Sequence, residues 1–456
     1  MKNISEITLR RAKTFLIFAL IALAIYQTGQ LWFVNLSNRN FFLFLSARFT
    51  PSVSDRNREF VRPMRMVSGA GDGRFIILYG GLMDMPPRTY FDNVITEMFS
   101  GGIFVGVADT DYERLFSRPV LVYEYAFPMP GNVFPLGFNQ RTGAFLTQRG
   151  VTEFTAVAIW PPHDNQGIRV FFIGDGRTWE FSLYTDGFEF YIPPVSADSM
   201  HFVSAALEGF EFLPPGTFVA QDGDRVRFAY FPLIVTNPYH TRIGGSLNHI
   251  RNQVAHFFDN PATITPRVAG DGVWTFSNIH TAVRYFDTDV LEYTSFRPRS
   301  QNATSSFLDD FSAAWAFIDA DPNVINEFFL TGFEERGTTY VFWFGYIVDN
   351  FPIMLPDGWR VSSQDDILPA PIEVVVDRGR VAMYRRLAHN FHPDDVHDRL
   401  ELDLDGFMAT REGPLEGLIL GYRMRQRGNL QLEWWGWYAE VYETEEDYPI
   451  EEEEAP

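Results

Sequence analysis

Cysteine is absent from the 456 residues of this chain, and lysine occurs only at Lys2 and Lys13. The absence of cysteine excludes disulfides, thiolate metal ligands, thiol nucleophiles and a lipid anchor on cysteine. Beyond residue 13, the absence of lysine excludes Schiff-base chemistry and the Ser-x-x-Lys acylation motif. An exported domain without disulfides depends on its apolar core, which favours a bacterial cell-surface protein over a eukaryotic secreted one.

Positive charge is also scarce: 37 Lys and Arg stand against 58 Asp and Glu, for a net charge of −21. Residues 442–456 alone carry eight carboxylates and no basic side chain. Such a surface repels nucleic acid and anionic wall or lipid polymers, so these are poor candidate ligands. The 46% apolar and 16% aromatic residues are sufficient for packed cores in two or three domains.

One long apolar segment stands at the beginning of the chain. It is uninterrupted from Phe15 to Tyr26 and extends to Val34, which gives roughly 20 residues or about 30 Å of helix, enough to cross a bilayer. Basic residues precede it, so the positive-inside rule places residues 1–13 in the cytoplasm. Because no small-x-small cleavage site follows, a retained anchor is favoured over a signal peptide. We predict a single-pass cell-membrane protein with its transmembrane helix at 14–34.

The rest of the chain divides into five segments by composition. A polar stalk at 35–66 leads into a strand-dominated α+β domain at 67–215. A middle domain at 216–300 and a C-terminal domain at 301–442 each consist of a helix followed by antiparallel strands. The acidic tail at 443–456 is predicted to be disordered. The predicted fold class is α+β, with an N-terminal transmembrane helix and three strand-rich extracytoplasmic domains.

Hydrophobic periodicity places the individual helices and strands. Helices are predicted at Tyr90–Phe99, at 247–258 after a Ser246 N-cap, and at 307–318 after Ser305 or Ser306. The main predicted strands are 75–79, 120–125, 155–160, 169–173, 180–184, 272–277, 282–294, 340–349, 372–377, 380–387, 418–425 and 430–441. The last two are predicted to form a hairpin. The glycine-rich segments 69–73 and 174–176 match neither a phosphate loop nor a dinucleotide fingerprint, and are predicted turns.

The segment Glu401–Glu412 has the spacing of a calcium-binding EF-hand loop, with carboxylates at Glu401, Asp403, Asp405 and Glu412. Its first position is glutamate where the shorter aspartate is required, and a Gly-Pro pair blocks the helix that should follow. The alternating leucines favour a strand that ends in a turn. No metal site is predicted here, and calcium binding stays open.

Three histidines, His389, His392 and His397, are interspersed with aspartates. Their spacing fits no standard zinc pattern. Pro393 followed by two aspartates is typical of the first turn of a short helix, where acidic side chains complement the helix dipole. The helix start is the favoured interpretation.

The last strand contains Trp434, Trp435 and Trp437, a candidate aromatic platform for a sugar or a peptide. Because side chains alternate along a strand, Trp434 faces one side and the other two face the opposite side. At least one side is expected to be core, so core packing is favoured over a ligand platform. Carboxylates are numerous, yet no pair is singled out as a glycosidase pair. No catalytic residue and no cofactor is predicted.

The predicted transmembrane helix carries one face that could bind a partner. Ala24, Gln27, Thr28 and Leu31 recur at helical spacing and combine small residues with an amide that can donate hydrogen bonds across helices. We interpret this face as a contact for a second transmembrane helix. A plain lipid anchor is the alternative.

Several segments at the two ends of the chain form a recognisable set. The N-terminal part has basic residues, one helix that ends in Gln-Leu-Trp-Phe at 30–33, and Asn-Arg-Asn-Phe-Phe at 38–42. The C-terminal third has Phe-Gly-Tyr-Ile-Val-Asp-Asn-Phe-Pro-Ile at 344–353, the predicted strands at 372–386 and the Trp-rich final strand. With these segments the chain resembles the YycH family of single-pass accessory proteins.

This resemblance implies a non-enzymatic regulator of a two-component system that controls cell-wall metabolism. Its implied partners are a sensor histidine kinase and a YycI-like protein, and the C-terminal domain at 301–442 would be a YycI-like α+β module. The alternatives are a membrane-anchored cell-wall hydrolase, a carbohydrate-binding surface protein, or an adhesion protein.

Overall fold

The computed structural model describes most of the chain from residue 58 onward, and Arg56–Pro456 forms one compact unit. The described residues are 58–79, 87–140, 143–162, 167–184, 201–208, 213, 216–221, 226–230, 232–240, 247–268, 272–298, 305–348, 351–355, 359–361, 366–394, 398–402, 415–424 and 430–438. Backbone alone is described at 79, 87, 201, 208, 220–221, 226–230, 398–402, 415–417, 431 and 433–438. Among the described residues, no helix is long and apolar enough to cross a membrane, and 14–34 lies outside them.

The architecture is α+β, as predicted: extended, mostly antiparallel sheets with few helices. The helices are α1 (Pro87–Gly101), α2 (Tyr112–Phe116), α3 (Ala144–Thr147), α4 (Ala205–Glu208), α5 (Leu247–Val254) and α6 (Phe307–Asp319). Short 3-10 helices follow at Phe134–Phe138, Ala255–Phe257 and Pro261–Thr263.

A nine-stranded sheet accounts for the first half of the described chain. Its strands are β1 (Arg65–Ala70), β2 (Phe75–Tyr79), β3 (Ile103–Asp109), β4 (Pro119–Pro130), β5 (Glu153–Trp160), β6 (Ile168–Gly174), β7 (Arg177–Leu183), β8 (His201–Ser204) and β9 (Phe218–Gln221). They pair antiparallel in the order β3-β7-β6-β5-β4-β1-β2-β8-β9. The predicted turn at 174–176 joins β6 to β7, where Asp175 and Gly176 adopt φ of 48° and 68°. These left-handed values are typical of a tight hairpin.

Helix α1 covers this sheet with the apolar stripe that the sequence predicts. Phe91, Val94, Ile95 and Met98 are all buried. The ring of Phe91 lies 4.1 Å from that of Tyr123 on β4, centroid to centroid. The core beneath the sheet is therefore built mainly from aromatic and aliphatic side chains.

A second sheet of eleven strands occupies the other half. Its strands are β12 (Thr265–Val268), β13 (Trp274–Ser277), β14 (Thr281–Tyr285), β15 (Val290–Ser295), β16 (Glu327–Arg336), β17 (Thr339–Val348), β18 (Phe351–Met354), β21 (Ile372–Asp377), β22 (Arg380–Leu387), β25 (Leu415–Met424) and β26 (Leu430–Tyr438). The order is β12-β13-β14-β15-β22-β21-β17-β18-β25-β26, and β16 pairs with β17. Two-stranded ribbons complete the fold, from β10 (Val226–Tyr230) with β24 (Asp398–Leu402), β11 (Leu233–Thr236) with β23 (Asn390–Pro393), and β19 (Trp359–Arg360) with β20 (Ile367–Leu368).

The two predicted helix-plus-strand modules contribute to one continuous sheet. Strand β15, from the segment 216–300, pairs with β22, from the segment 301–442, with Tyr293 opposite Tyr384. In the segment 301–442 helix α6 precedes its strands, whereas in the segment 216–300 strands β9, β10 and β11 precede helix α5. Strand β25 pairs with β26 as the predicted last pair.

Helix α6 begins with the N-cap that the sequence predicts. The Ser306 hydroxyl accepts a hydrogen bond from the Asp309 amide at 3.2 Å, and the Asp309 carboxylate accepts one from the Ser306 amide at 3.0 Å. This capping box satisfies two amides that the first helical turn leaves without partners. The following helix buries Phe311, Ala314 and Ile318 against the sheet.

The segment before β1 packs against the C-terminal half of the unit. The buried ring of Phe60 lies 4.8 Å from Phe307 and 5.5 Å from Phe311, both on α6. Arg62 pairs with Glu327 on β16. Residues 58–62, within the segment predicted as a stalk, thus contact the second sheet.

Candidate partner-binding surface

Strand β3 forms one edge of the nine-stranded sheet. Within the described part of the chain it pairs with β7 on one side only, so the backbone N–H and C=O groups of its other side face outward. Ile103, Val105 and Val107 are 57%, 51% and 49% exposed. An edge strand with exposed apolar side chains and neither lysine nor proline is a template for pairing with a strand of another chain.

A β-bulge shapes this edge. The register with β7 passes from Phe104 opposite Phe181 to Gly106 opposite Glu180, which leaves Val105 as the additional residue. Phe104 packs on Phe181 with ring centroids 5.3 Å apart. Because of the bulge, Ile103 stands opposite Ser182 and Val107 opposite Trp179, so the exposed side chains of β3 lie on both faces of the sheet.

Trp160, at the end of β5, lies on the same sheet and is separated from β3 by strands β7 and β6. Its indole Nε1 donates a hydrogen bond to the carbonyl oxygen of Leu115 at 3.0 Å, and its ring packs on Phe171 at 4.6 Å. The guanidinium carbons of Arg114 and Arg118 lie 5.7 and 5.0 Å from the indole centroid. Cation–π attraction holds both arginines over a fixed aromatic ring.

Helix α2 positions these groups. Its N-cap Asp111 accepts a hydrogen bond from the Arg114 amide at 2.9 Å, and Leu115 and Phe116 are buried. The Asp111 cap and the two buried side chains fix helix α2, which thereby positions Arg114 against the sheet.

Two clefts flank Trp160. A cleft of about 140 Å3 lies between the indole and residues 105–109 of β3, and one of about 280 Å3 lies on its other side against Pro161 and Pro162. On the sheet surface between them, Arg169 donates a hydrogen bond to the Glu180 carboxylate at 2.8 Å. We name Ile103, Val105, Val107, Trp160, Arg114 and Arg118 the β3 edge surface. It combines a strand edge that can pair with a strand of another chain and, across the sheet face, a cleft between β3 and Trp160.

A second concentration of polar groups lies in the other sheet and is buried. Arg386 donates to the Asp321 carboxylate at 2.9 Å and to the Tyr239 hydroxyl at 3.1 Å, and the Tyr384 hydroxyl donates to Asp321 at 3.1 Å. Burial opposes ionisation of Asp321, but the charge of Arg386 and the hydrogen bond from His256 outweigh it and lower the pKa of Asp321 to about 2. We interpret this buried ion-pair network as a structural element.

His389 belongs to a separate cluster around Asp289. Its Nε2 lies 3.0 Å from one Asp289 carboxylate oxygen, while the Tyr285 hydroxyl donates to the other at 2.7 Å. Burial raises the pKa of Asp289, but the hydrogen bonds from His389 and Tyr285 outweigh burial and lower it. His240 Nε2 also lies 3.1 Å from the second oxygen.

The histidines of the segment 389–397 that the structure describes therefore contact different residues and do not meet at one site. His392 Nε2 lies 3.1 Å from the Thr236 hydroxyl, and His397 is outside the described residues. Within the described residues, no group of three His, Asp or Glu side chains is placed to hold a metal ion. The helix start at Pro393 is wrong: Pro393 is the last residue of β23, which pairs with β11.

The other sequence candidates are only partly described. Glu401 and Leu402 end strand β24, consistent with the strand interpretation, and 403–412 lie outside the described residues. Trp434 and Trp435 stand in β26 opposite Leu420 and Ile419. Their side chains lie outside the description, so the choice between core and platform stays open.

The transmembrane face of Ala24, Gln27, Thr28 and Leu31 lies outside the described residues. The sequence prediction missed strand β3 altogether. Alternation of Ile103, Val105 and Val107 was the available signal, but alternation alone does not reveal that a strand occupies the edge of its sheet.

No family model, no curated protein and no solved structure matches this chain.

Proposed function

We propose that this chain is a non-enzymatic, membrane-anchored regulator that binds a sensor histidine kinase of a two-component system controlling cell-wall metabolism. The exposed apolar edge of β3 is the observation that carries the binding role, because Ile103, Val105 and Val107 are each about half exposed. The choice of a kinase as the partner, together with a YycI-like protein, rests on the sequence resemblance at 30–42 and 344–386.

In this proposal, an extended segment of the kinase's extracytoplasmic domain adds a strand to β3. Backbone hydrogen bonds supply affinity, and contacts with the exposed side chains of Ile103, Val105 and Val107 supply specificity. Burying the exposed halves of three aliphatic side chains contributes about 3 kcal/mol to the complex. Ile103, Val105 and Val107 are therefore expected to contribute a measurable part of the binding free energy.

The transmembrane helix adds a second contact. The face of Ala24, Gln27, Thr28 and Leu31 would pack against a transmembrane helix of a partner. A bound protein shifts the signalling equilibrium of a kinase only if it binds the active and inactive states with different affinities.

Substitution of the edge tests this proposal. We expect Val105→Lys combined with Val107→Lys to weaken recovery of the kinase by at least tenfold in pull-downs from native membranes. Two buried aliphatic contacts are lost and two charges are added at the edge. Because both positions are exposed, the lysine side chains stay in solvent, and the melting temperature is expected to stay unchanged.

Val268→Lys is the matched control, since Val268 is 56% exposed on β12, the edge strand of the other sheet. It should leave recovery of the kinase unchanged. Equal losses from the β3 and β12 variants would reject β3 as the contact, and the absence of any kinase from wild-type pull-downs would reject the proposed function itself.

A further inference from the structure

A cleft of about 360 Å3 opens between helix α6 and the part of the second sheet formed by β15 and β22. Its walls come from four parts of the chain that are distant in sequence. Small residues leave the space open on the helix side, where Ala313 and Ala320 line it. The volume is that of a site for a small molecule.

The walls are aromatic. The rings of Phe257 and Phe317 lie 5.9 Å apart at an interplanar angle of 23°, and Tyr293 lies 4.8 Å from Phe317. Tyr293 is buried, whereas Phe257 and Phe317 are only partly covered. Partly covered rings of this kind stack well against a flat ring or the apolar face of a sugar.

The rim is positively charged in a chain whose net charge is −21. Arg297 pairs with Asp259 at the mouth. Arg380 donates a hydrogen bond to the carbonyl oxygen of Pro298 at 3.2 Å, and within the described residues no carboxylate forms an ion pair with it. The cleft therefore presents one guanidinium that forms no ion pair within the described residues and can bind an anion.

We propose that this cleft binds a small carboxylate that carries a ring, with the ring stacked on the partly covered side chains of Phe257 and Phe317 and the carboxylate on Arg380. The ring is aromatic or that of a sugar acid, because both stack on phenylalanine and both fit the volume. This site is independent of the β3 edge surface and of the kinase partnership.

Two probes test the site on the full-length chain in lipid nanodiscs, by saturation-transfer NMR titration. One is 4-hydroxybenzoate and the other is glucuronate, and their neutral counterparts are 4-hydroxybenzamide and methyl glucoside. We expect at least one carboxylate to bind about tenfold more tightly than its neutral counterpart, because a charge-assisted hydrogen bond is lost with the charge.

Variants locate the binding. Arg380→Gln should weaken the carboxylate about tenfold and leave its neutral counterpart unchanged. Arg378→Gln is the matched control, since Arg378 stands on the same β21–β22 turn and does not line the cleft. Ala313→Leu should abolish binding of both by filling the space, and a melting curve confirms that each variant is folded.

Binding of only one of the two carboxylates supports the proposal and identifies the ring. Equal effects of Arg380→Gln and Arg378→Gln overturn it, as does the absence of binding of both probes at millimolar concentration.

Discussion

Aromatic rings pack against both large sheets of this protein, but among the described residues only the second sheet also contacts an ion pair whose two side chains are fully buried. Beneath the nine-stranded sheet, Phe134 packs against Phe138, Phe154, Phe172 and other rings, with centroid distances of 5.0 to 6.2 Å. Against the second sheet, Arg386 on β22 and Asp321, which follows α6, form an ion pair whose side chains are both 0% exposed. Aromatic packing is tolerant of small shifts, whereas a buried ion pair requires fixed partners.

This difference indicates which contacts stabilise each half of the unit. An apolar core holds the first sheet together, and its edge strand β3 stays available for a partner. The buried ion pair fixes the loop after α6 against β22 and the segment at 237–240, beside the aromatic cleft. The following experiments would break or sharpen this contrast, from the largest expected effect to the smallest.

Removing one partner of the buried ion pair should have the largest effect. Asp321→Leu or Arg386→Leu alone leaves an uncompensated buried charge, so we expect a loss of about 3–5 kcal/mol in the free energy of unfolding. Urea denaturation followed by circular dichroism on the full-length chain measures it.

The double variant Asp321→Leu with Arg386→Leu should be less destabilised than the sum of the two single variants, because neither charge remains. Strict additivity would contradict the ion-pair interpretation.

Acid should weaken the second sheet through the same carboxylate. The pKa of Asp321 is lowered from 3.8 to about 2, so its stabilising contribution is fully present above pH 3.8 and is lost as the pH falls through 2. The difference corresponds to about 2 kcal/mol. As the pH falls from 5 to 2, the free energy of unfolding of the wild type, measured by urea denaturation, should approach that of the double variant. A difference between the two free energies that stays constant over this range would contradict the prediction.

The aromatic core should respond more gradually. Phe134→Leu keeps the site apolar but removes several edge-to-face ring contacts, so we expect a loss of about 2 kcal/mol. The change should be independent of pH between 5 and 2, unlike that of Asp321. A pH-dependent loss at Phe134 would remove the contrast between the two sheets.

The smallest expected effect concerns the capping box of α6. Ser306→Ala removes one side of it and should cost about 1 kcal/mol. Ser306→Asp preserves an acceptor and should restore most of the stability in the same urea titration. Failure of Asp to restore it would show that the hydroxyl acts in some way other than capping.

The sequence predicts local features of this fold well. The α1 stripe, the Ser306 cap and the bounds of β21 and β22 are confirmed, because each follows from a period or a turn residue within a few positions. Strand β16 was missed, since Gly332 and the charged end at Glu334–Arg336 interrupt its apolar pattern.

Such local patterns did not predict contacts between residues that are distant in the sequence. Tyr239 and Arg386 are 147 residues apart in the chain yet share a hydrogen bond, and no local period connects them. The predicted helix start at Pro393 failed for the same reason, because pairing of β23 with the distant β11 overrides the local preference of a Pro-Asp-Asp segment. The edge position of β3 was not predicted either, because it depends on the order of the strands in the sheet and not on the local sequence.

Photo-crosslinking from β3 tests the central claim most directly. A benzoylphenylalanine at Val105, in full-length protein expressed in its native membrane, should crosslink to a sensor histidine kinase. The same group at Val268, on the edge of the other sheet, should not. Crosslinks to the kinase from both positions, or from neither, would contradict the account.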